Sequence, residues 1–231
     1  MRKLTTLLAA AVLSAASAFG AAAGGAAKPV VSILGDSYST YAGYITEGNE
    51  AWYTPTPWEG QTDVTDVRQT WWWQLIDEGG YILGTNDSWS GSTISFTGYR
   101  GEDYRARSFV TRLPRTGACD ILLIFGGTND SWAGVPLGEF VYTGLTLGHL
   151  YEFRPALGRL LTEAQNRLPG TRIVFIINTE LSDDITSSIV EVCRHTGVEY
   201  VALRDIDKMS GHPSRRGMEQ IKEQVLDVLR R

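Results

Sequence analysis

Cysteine is nearly missing from this chain: Cys119 and Cys193 are the only two among 231 residues. A single pair is no disulfide framework, so the fold has to rest on a packed core, and two buried thiols are the expectation. Histidine is also scarce, with three residues, His149, His195 and His212, and no His, Cys, Asp or Glu spacing resembles a zinc site. No phosphate-cradling Gly-rich loop and no Gly-x-Ser-x-Gly elbow occurs, so neither a metal nor an organic cofactor is expected. Basic runs are absent and the net charge is −5, which argues against a nucleic-acid partner. There is no internal repeat and no linker.

Long apolar runs are also missing, with one short exception at the start. Arg2 and Lys3 precede an apolar centre, Leu7 to Leu13, and a stretch of Ala, Ser and Gly. Residues 1–27 therefore read as a secretory signal peptide and short N-terminal segment, with cleavage expected after Ala18 or Ala23. The apolar centre is shorter than the roughly 20 residues of a membrane span, and no cysteine stands nearby to carry a lipid. The expectation is export to a periplasm or the cell exterior without stable membrane insertion. Residues 28–231 suffice for one domain with a sizeable core.

Apolar runs at Val30–Leu34, Tyr81–Gly84, Asp120–Phe125, Arg172–Ile177 and Tyr200–Leu203 read as strands. Helical patterns lie between and after them at Thr70–Glu78, His149–Leu168, Ser182–His195 and Met218–Leu229. Pro155 belongs in the first turn of its helix. Fully apolar strands alternating with helices predict an α/β fold: a three-layer sandwich around a doubly wound parallel sheet of about five strands, flavodoxin-like. Residues 38–69 break the pattern, with Tyr38, Tyr41, Tyr44, Trp52, Tyr53 and Trp58 among prolines, glycines and polar residues. So long an irregular segment inside a domain is usually functional.

Four polar blocks follow four strands: Gly35-Asp36-Ser37, Asn86 to Gly91, Gly126 to Asp130, and Gly211-His212-Pro213. In a parallel sheet the carboxyl ends of the strands share one edge, where ligand sites form. In this order and at these positions the blocks resemble those of the SGNH (GDSL) hydrolase family, and the match spans residues 28–231. The resemblance implies a nucleophile at Ser37, a general base at His212, and an oxyanion hole of the Ser37 and Gly91 N–H groups and the Asn129 amide. It needs no metal or other cofactor. The chemistry suits these residue types. A serine hydroxyl requires a base, imidazole is one near neutral pH, and uncharged N–H donors stabilise the oxyanion of acyl transfer.

One position departs from that pattern. The family places an aspartate three residues before the histidine, and here Met209 stands there. Asp207 is the first candidate to orient His212, with Asp205 or a backbone carbonyl as alternatives. Asp36 and Asp130 read as braces for their loops, and His149 and His195 as structural. Trp71-Trp72-Trp73 cannot all face one way on a helix, so at least one is expected in the core and one exposed. Arg100, Arg105 and Arg107 read as a solvated face. Trp52, Trp58, Trp89 and Trp132 are candidates for a platform that stacks on sugar rings. The expected activity is hydrolysis of short acyl esters, acetyl foremost, on carbohydrates. A lysophospholipase or thioesterase is the alternative enzyme, and a glycan-binding module on a decayed hydrolase scaffold is the alternative without catalysis.

Overall fold

The computed structural model describes residues 27–231, and the expected signal peptide lies outside them. Five strands make one parallel sheet: β1 Val30–Gly35, β2 Ile82–Ser88, β3 Ile121–Phe125, β4 Arg172–Ile177 and β5 Glu199–Ala202. Their order is β2-β1-β3-β4-β5, that of a doubly wound sheet, the class anticipated from the alternating pattern. α1 (Trp71–Gly79) and α6 (Arg215–Leu229) cover one face. α2 (Phe109–Arg112), α4 (Phe153–Arg167) and α5 (Asp183–Thr196) cover the other, while the short α3 (Thr128–Ala133) stands just past the end of β3. Strand β3 shows why both layers are needed. Leu123 and Phe125 join Trp71, Trp72 and Ile221 in one core, and Leu122 and Ile124 join Phe153, Leu157 and Ile189 in the other.

Local chemistry sets the boundaries. Thr70 caps α1 by accepting from the Trp73 N–H, and Gly80 ends it at φ +68. Ser182 and Gly197 do the same for α5. Glu152 is extended, so Gly148–Tyr151 forms a separate 3₁₀ turn and α4 starts at Phe153, with Pro155 in its first turn as anticipated. The Ser214 cap starts α6 at Arg215, three residues before the apolar stripe. β2 runs to Ser88, past the end of its apolar run. Its polar residues find buried partners: the Asn86 amide donates to Ser39 O at 3.0 Å, and Ser88 Oγ donates to Asn86 Oδ1 at 2.6 Å. Trp71 and Trp72 are fully buried and Trp73 is half-buried, so none of the three stands fully exposed. Both cysteines are free thiols, Cys193 buried and Cys119 half-buried.

The sheet register gathers the polar blocks. Gly35 pairs with Ser88 on one side and Phe125 on the other. The segments carrying Ser37, Gly91 and Asn129 thus leave three adjacent strands at one level. A two-strand hairpin, β6 (Lys208–Met209) and β7 (His212–Pro213), brings the fourth block to the same edge. Residues 38–69 are irregular but belong to the core, where Tyr38, Tyr41, Tyr53, Val64 and Val67 pack with Trp71 and Trp72.

Candidate active site

The nucleophile candidate is built by close packing. A Cβ on Gly35 would sit 2.5 Å from Ser88 Oγ and 2.8 Å from Ser39 Cβ, so only glycine lets β1 end this close to β2. Asp36 then caps the 3₁₀ turn Ser37–Ser39 by accepting from the Tyr38 N–H at 3.0 Å. Burial pushes the Asp36 carboxyl up to about 7, against the pull of that N–H. Ser37 itself is buried to 2% exposure.

His212 comes from the hairpin. Met209 and His212 pair across it, and the two residues between them, Ser210 and Gly211, have φ of +48 and +76. Positive φ at both central positions is the pattern of the tight hairpin turn that matches strand twist. His212 Nδ1 lies 3.2 Å from Ser210 O, and Nε2 lies 2.8 Å from Ser37 Oγ. A carbonyl can only accept, so Nδ1 carries the proton and Nε2 turns its lone pair to the serine hydroxyl. Burial lowers the His212 pKa to about 4; the Ser210 carbonyl opposes this and the charge of Lys208 adds to it. Tyr38 donates to Gly211 O at 2.5 Å and Tyr53 to Pro213 O at 2.9 Å, which fastens the hairpin to the aromatic segment.

Asp207 is not brought to the imidazole. Its carboxylate accepts from Ser214 Oγ, and its carbonyl accepts from the Ser214 N–H at 3.0 Å, so it braces the start of α6. Asp205 is exposed, at φ +53. Of the three orienting groups considered from sequence, the backbone carbonyl is the one bonded to Nδ1. The hairpin explains this. Met209 is His212's strand partner, and the two-residue turn between them brings Ser210 O to the ring.

Gly91 has φ +74, which glycine adopts freely, and lies in the turn between Trp89 and Ser92. The Asn129 side chain is locked in one orientation. Its Nδ2 donates to Ser92 O at 3.0 Å, and its Oδ1 accepts from the Tyr99 hydroxyl at 2.8 Å, leaving one N–H of the amide for a ligand. Asp130 accepts from the N–H groups of Ile94 and Ser95 at 2.8 and 3.1 Å, the bracing role anticipated for it. Burial raises its carboxyl to about 6.

Arg112 escaped sequence reasoning. It is fully buried and donates to Asp87 O, to Gly35 O at 3.1 Å, to Ser92 Oγ at 2.9 Å and to Arg107 O at 2.8 Å. It thereby ties together the ends of β1 and β2 and the Gly91 block. Burial lowers its pKa to about 10, with Asp87 opposing, so it stays a cation at neutral pH. An arginine beside the apolar Phe109 and Val110 was the only available sign, and it carries no spacing signature.

The four tryptophans part company. Trp58 is 65% exposed and Trp132 45% exposed, and Trp132 meets the His212 ring edge-on at 5.7 Å. Trp89 is half-buried with the Arg107 guanidinium over its ring at 5.2 Å, so that face is already covered. Arg107 also donates to Ser90 O, so it belongs to the Gly91 loop, whereas Arg100 and Arg105 are exposed as expected. Trp52 lies flat against His212. The His149 ring accepts from the Thr146 N–H and His195 stacks on Tyr142, so both serve structural contacts as expected. Among the described residues, no His, Cys, Asp or Glu cluster gathers as a metal site would need.

A serine hydroxyl facing an imidazole lone pair at the carboxyl edge of a parallel sheet defines a serine hydrolase built for acyl transfer. The comparisons with known proteins agree. The sequence model of the GDSL-like Lipase/Acylhydrolase family matches residues 29–229, and the chain belongs to that family, the SGNH esterases. Two crystal structures described as GDSL-like lipases superpose at TM-score 0.86. The Bacteroides ovatus protein is 48% identical, covering 88% of this chain and 99% of its own; the Bacteroides uniformis protein is 49% identical, covering 88% and 96%. A family two carbohydrate esterase from Clostridium thermocellum, in complex with cellohexaose, shares the fold at TM-score 0.55 and 17% identity, covering 87% of this chain and 63% of its own. A comparison with curated proteins found no significant match.

Proposed function

We propose that the protein is an exported esterase that removes short acyl groups, acetyl foremost, from carbohydrates. The observation that carries the catalytic reading is the 2.8 Å contact between His212 Nε2 and Ser37 Oγ, with the tautomer set by Ser210 O. Ser37 Oγ attacks the ester carbonyl while its proton passes to Nε2, and the carbonyl oxygen becomes an oxyanion held by the N–H groups of Ser37 and Gly91 and by the Asn129 amide. Collapse expels the alcohol, which takes the proton from Nε2 and leaves an acyl-serine. Water then attacks with His212 again as base, releasing the acid and restoring Ser37.

The carbohydrate part rests on two exposed indoles, Trp132 against His212 and Trp58 against Trp52, since rigid apolar faces suit sugar rings. The sugar complex of the distant carbohydrate esterase is consistent with it. Export rests on the pattern of residues 1–27. The first experiment compares hydrolysis of 4-nitrophenyl acetate by the chain from residue 28 onward with that of its Ser37→Ala variant. Turnover should vanish in the variant, and turnover that survives would refute the serine mechanism. Trp58→Ala should then weaken action on an acetylated glycan more than on 4-nitrophenyl acetate. Equal losses would remove the platform.

A further inference from the structure

We propose that Trp52 is the positioning residue of the catalytic histidine, its indole face doing for His212 part of what a carboxylate does in a triad. The inference rests on His212 being the base. The indole and imidazole centroids are 3.8 Å apart and the rings are within 9° of parallel. Among the described residues no other aromatic neighbour of His212 lies so flat: Tyr38 is tilted by 50°, and Trp132 and Tyr53 meet it at 73° and 81°.

Geometry shows why such a contact is required. The bonds from Nδ1 to Ser210 O and from Nε2 to Ser37 Oγ hold the edges of the ring, and neither presses on its face. A plane packed on the ring face supplies that restraint and keeps Nε2 aimed at Ser37. The backbone that carries the indole is tied to the turn of the nucleophile. Thr40 Oγ1 donates to Ser37 O at 2.9 Å and accepts from the Trp52 backbone N–H at 2.9 Å, and Gln61 donates to the Trp52 carbonyl at 3.1 Å. Ser37, Thr40, Trp52 and His212 thus form a closed circuit in which the base is held against the turn that carries the nucleophile. The π face also favours the imidazolium that forms when Nε2 takes the serine proton, where Ser210 O brings only a dipole. This revises the platform assignment of Trp52. One face of the indole is spent on His212, and Trp58 packs against it near-perpendicular at 76°.

The test compares Trp52→Leu and Trp52→Phe with the wild type on 4-nitrophenyl acetate and on an acetylated glycan, alongside NMR of the histidine ring protons. Trp52→Leu should lower kcat on the order of 10²-fold, equally on both substrates and with KM unchanged, the cost of a misaimed catalytic group. Trp52→Phe should restore most of the loss. The His212 ring signals, identified by their absence in His212→Gln, should be shifted upfield in the wild type and move downfield in Trp52→Leu. Those of His195, stacked on Tyr142 at 3.5 Å, should stay in place. Full kcat in Trp52→Leu on the aryl ester, or a loss confined to KM on the glycan, would overturn the proposal and return Trp52 to the substrate. If Ser37→Ala retains wild-type turnover, the esterase reading fails on its own account. The His212 signals then decide the packing separately: no upfield shift in the wild type overturns it, and a shift lost in Trp52→Leu upholds it.

Discussion

The two halves of the site are held by different physics. The half proposed to hold the oxyanion is fixed by buried polar groups: Arg112 bonds the ends of β1 and β2, Asp130 holds the Ile94–Ser95 backbone, and Tyr99 and Ser92 lock the Asn129 amide. The half with the proposed base is fixed by aromatic packing, with Trp52, Tyr38, Tyr53 and Trp132 around His212 and a two-residue hairpin turn beside it. Hydrogen-bond networks specify directions, as donors aimed at a developing charge require. Aromatic walls specify a plane and keep out water, which suits an imidazole that must stay neutral until it accepts a proton. The same burial that orients His212 lowers its pKa to about 4.

The largest effect expected in breaking this contrast lies on the polar half. Asn129→Ala should cost on the order of 10²–10³ in kcat with little change in KM, because the amide meets the oxygen only once it carries charge. A loss confined to KM would move Asn129 to ground-state binding. On the aromatic half, the pH profile carries the next effect. An imidazolium cannot accept the Ser37 proton, so activity is lost as pH falls through the folded-state pKa. The acid limb of kcat/KM should therefore fall near pH 4, well below the ordinary imidazole value of about 6.5. A limb near the ordinary value would mean that water reaches the ring. The smallest effect is expected at Asp207. Asp207→Asn should change kcat/KM only a few-fold, since its carboxylate bonds Ser214 rather than His212. In a triad that relies on its carboxylate the same change costs on the order of 10⁴, and a loss of that size would place Asp207 on the imidazole in the working enzyme.

What sequence reading recovered and what it missed divide along the same contrast. Apolar runs located all five strands because burial on both faces leaves a continuous signature, and their alternation with helices implied a doubly wound parallel sheet. Ser37, Gly91, Asn129 and His212 stand out in the sequence as candidates because each sits in a short block directly after a strand or turn. The end of β2 does not, since Asn86, Asp87 and Ser88 look like a loop until Ser39 and Arg112 supply buried partners. The aromatic segment could be seen to matter, but its four candidate tryptophans could not be sorted. Nothing in the spacing distinguishes an indole stacked on histidine from one facing solvent.

The amino-acid sequence alone determined the α/β sandwich, the family and the residue types of the site, because strand burial and strand-end motifs are local patterns. Tertiary structure alone decided what orients the base. Sequence distance pointed to Asp207, five residues from His212. The hairpin register instead brings Ser210 O to the ring, and the 38–69 segment lays Trp52 across it from 160 residues away. Such contacts depend on where chain segments meet in space, and no local period or motif encodes that.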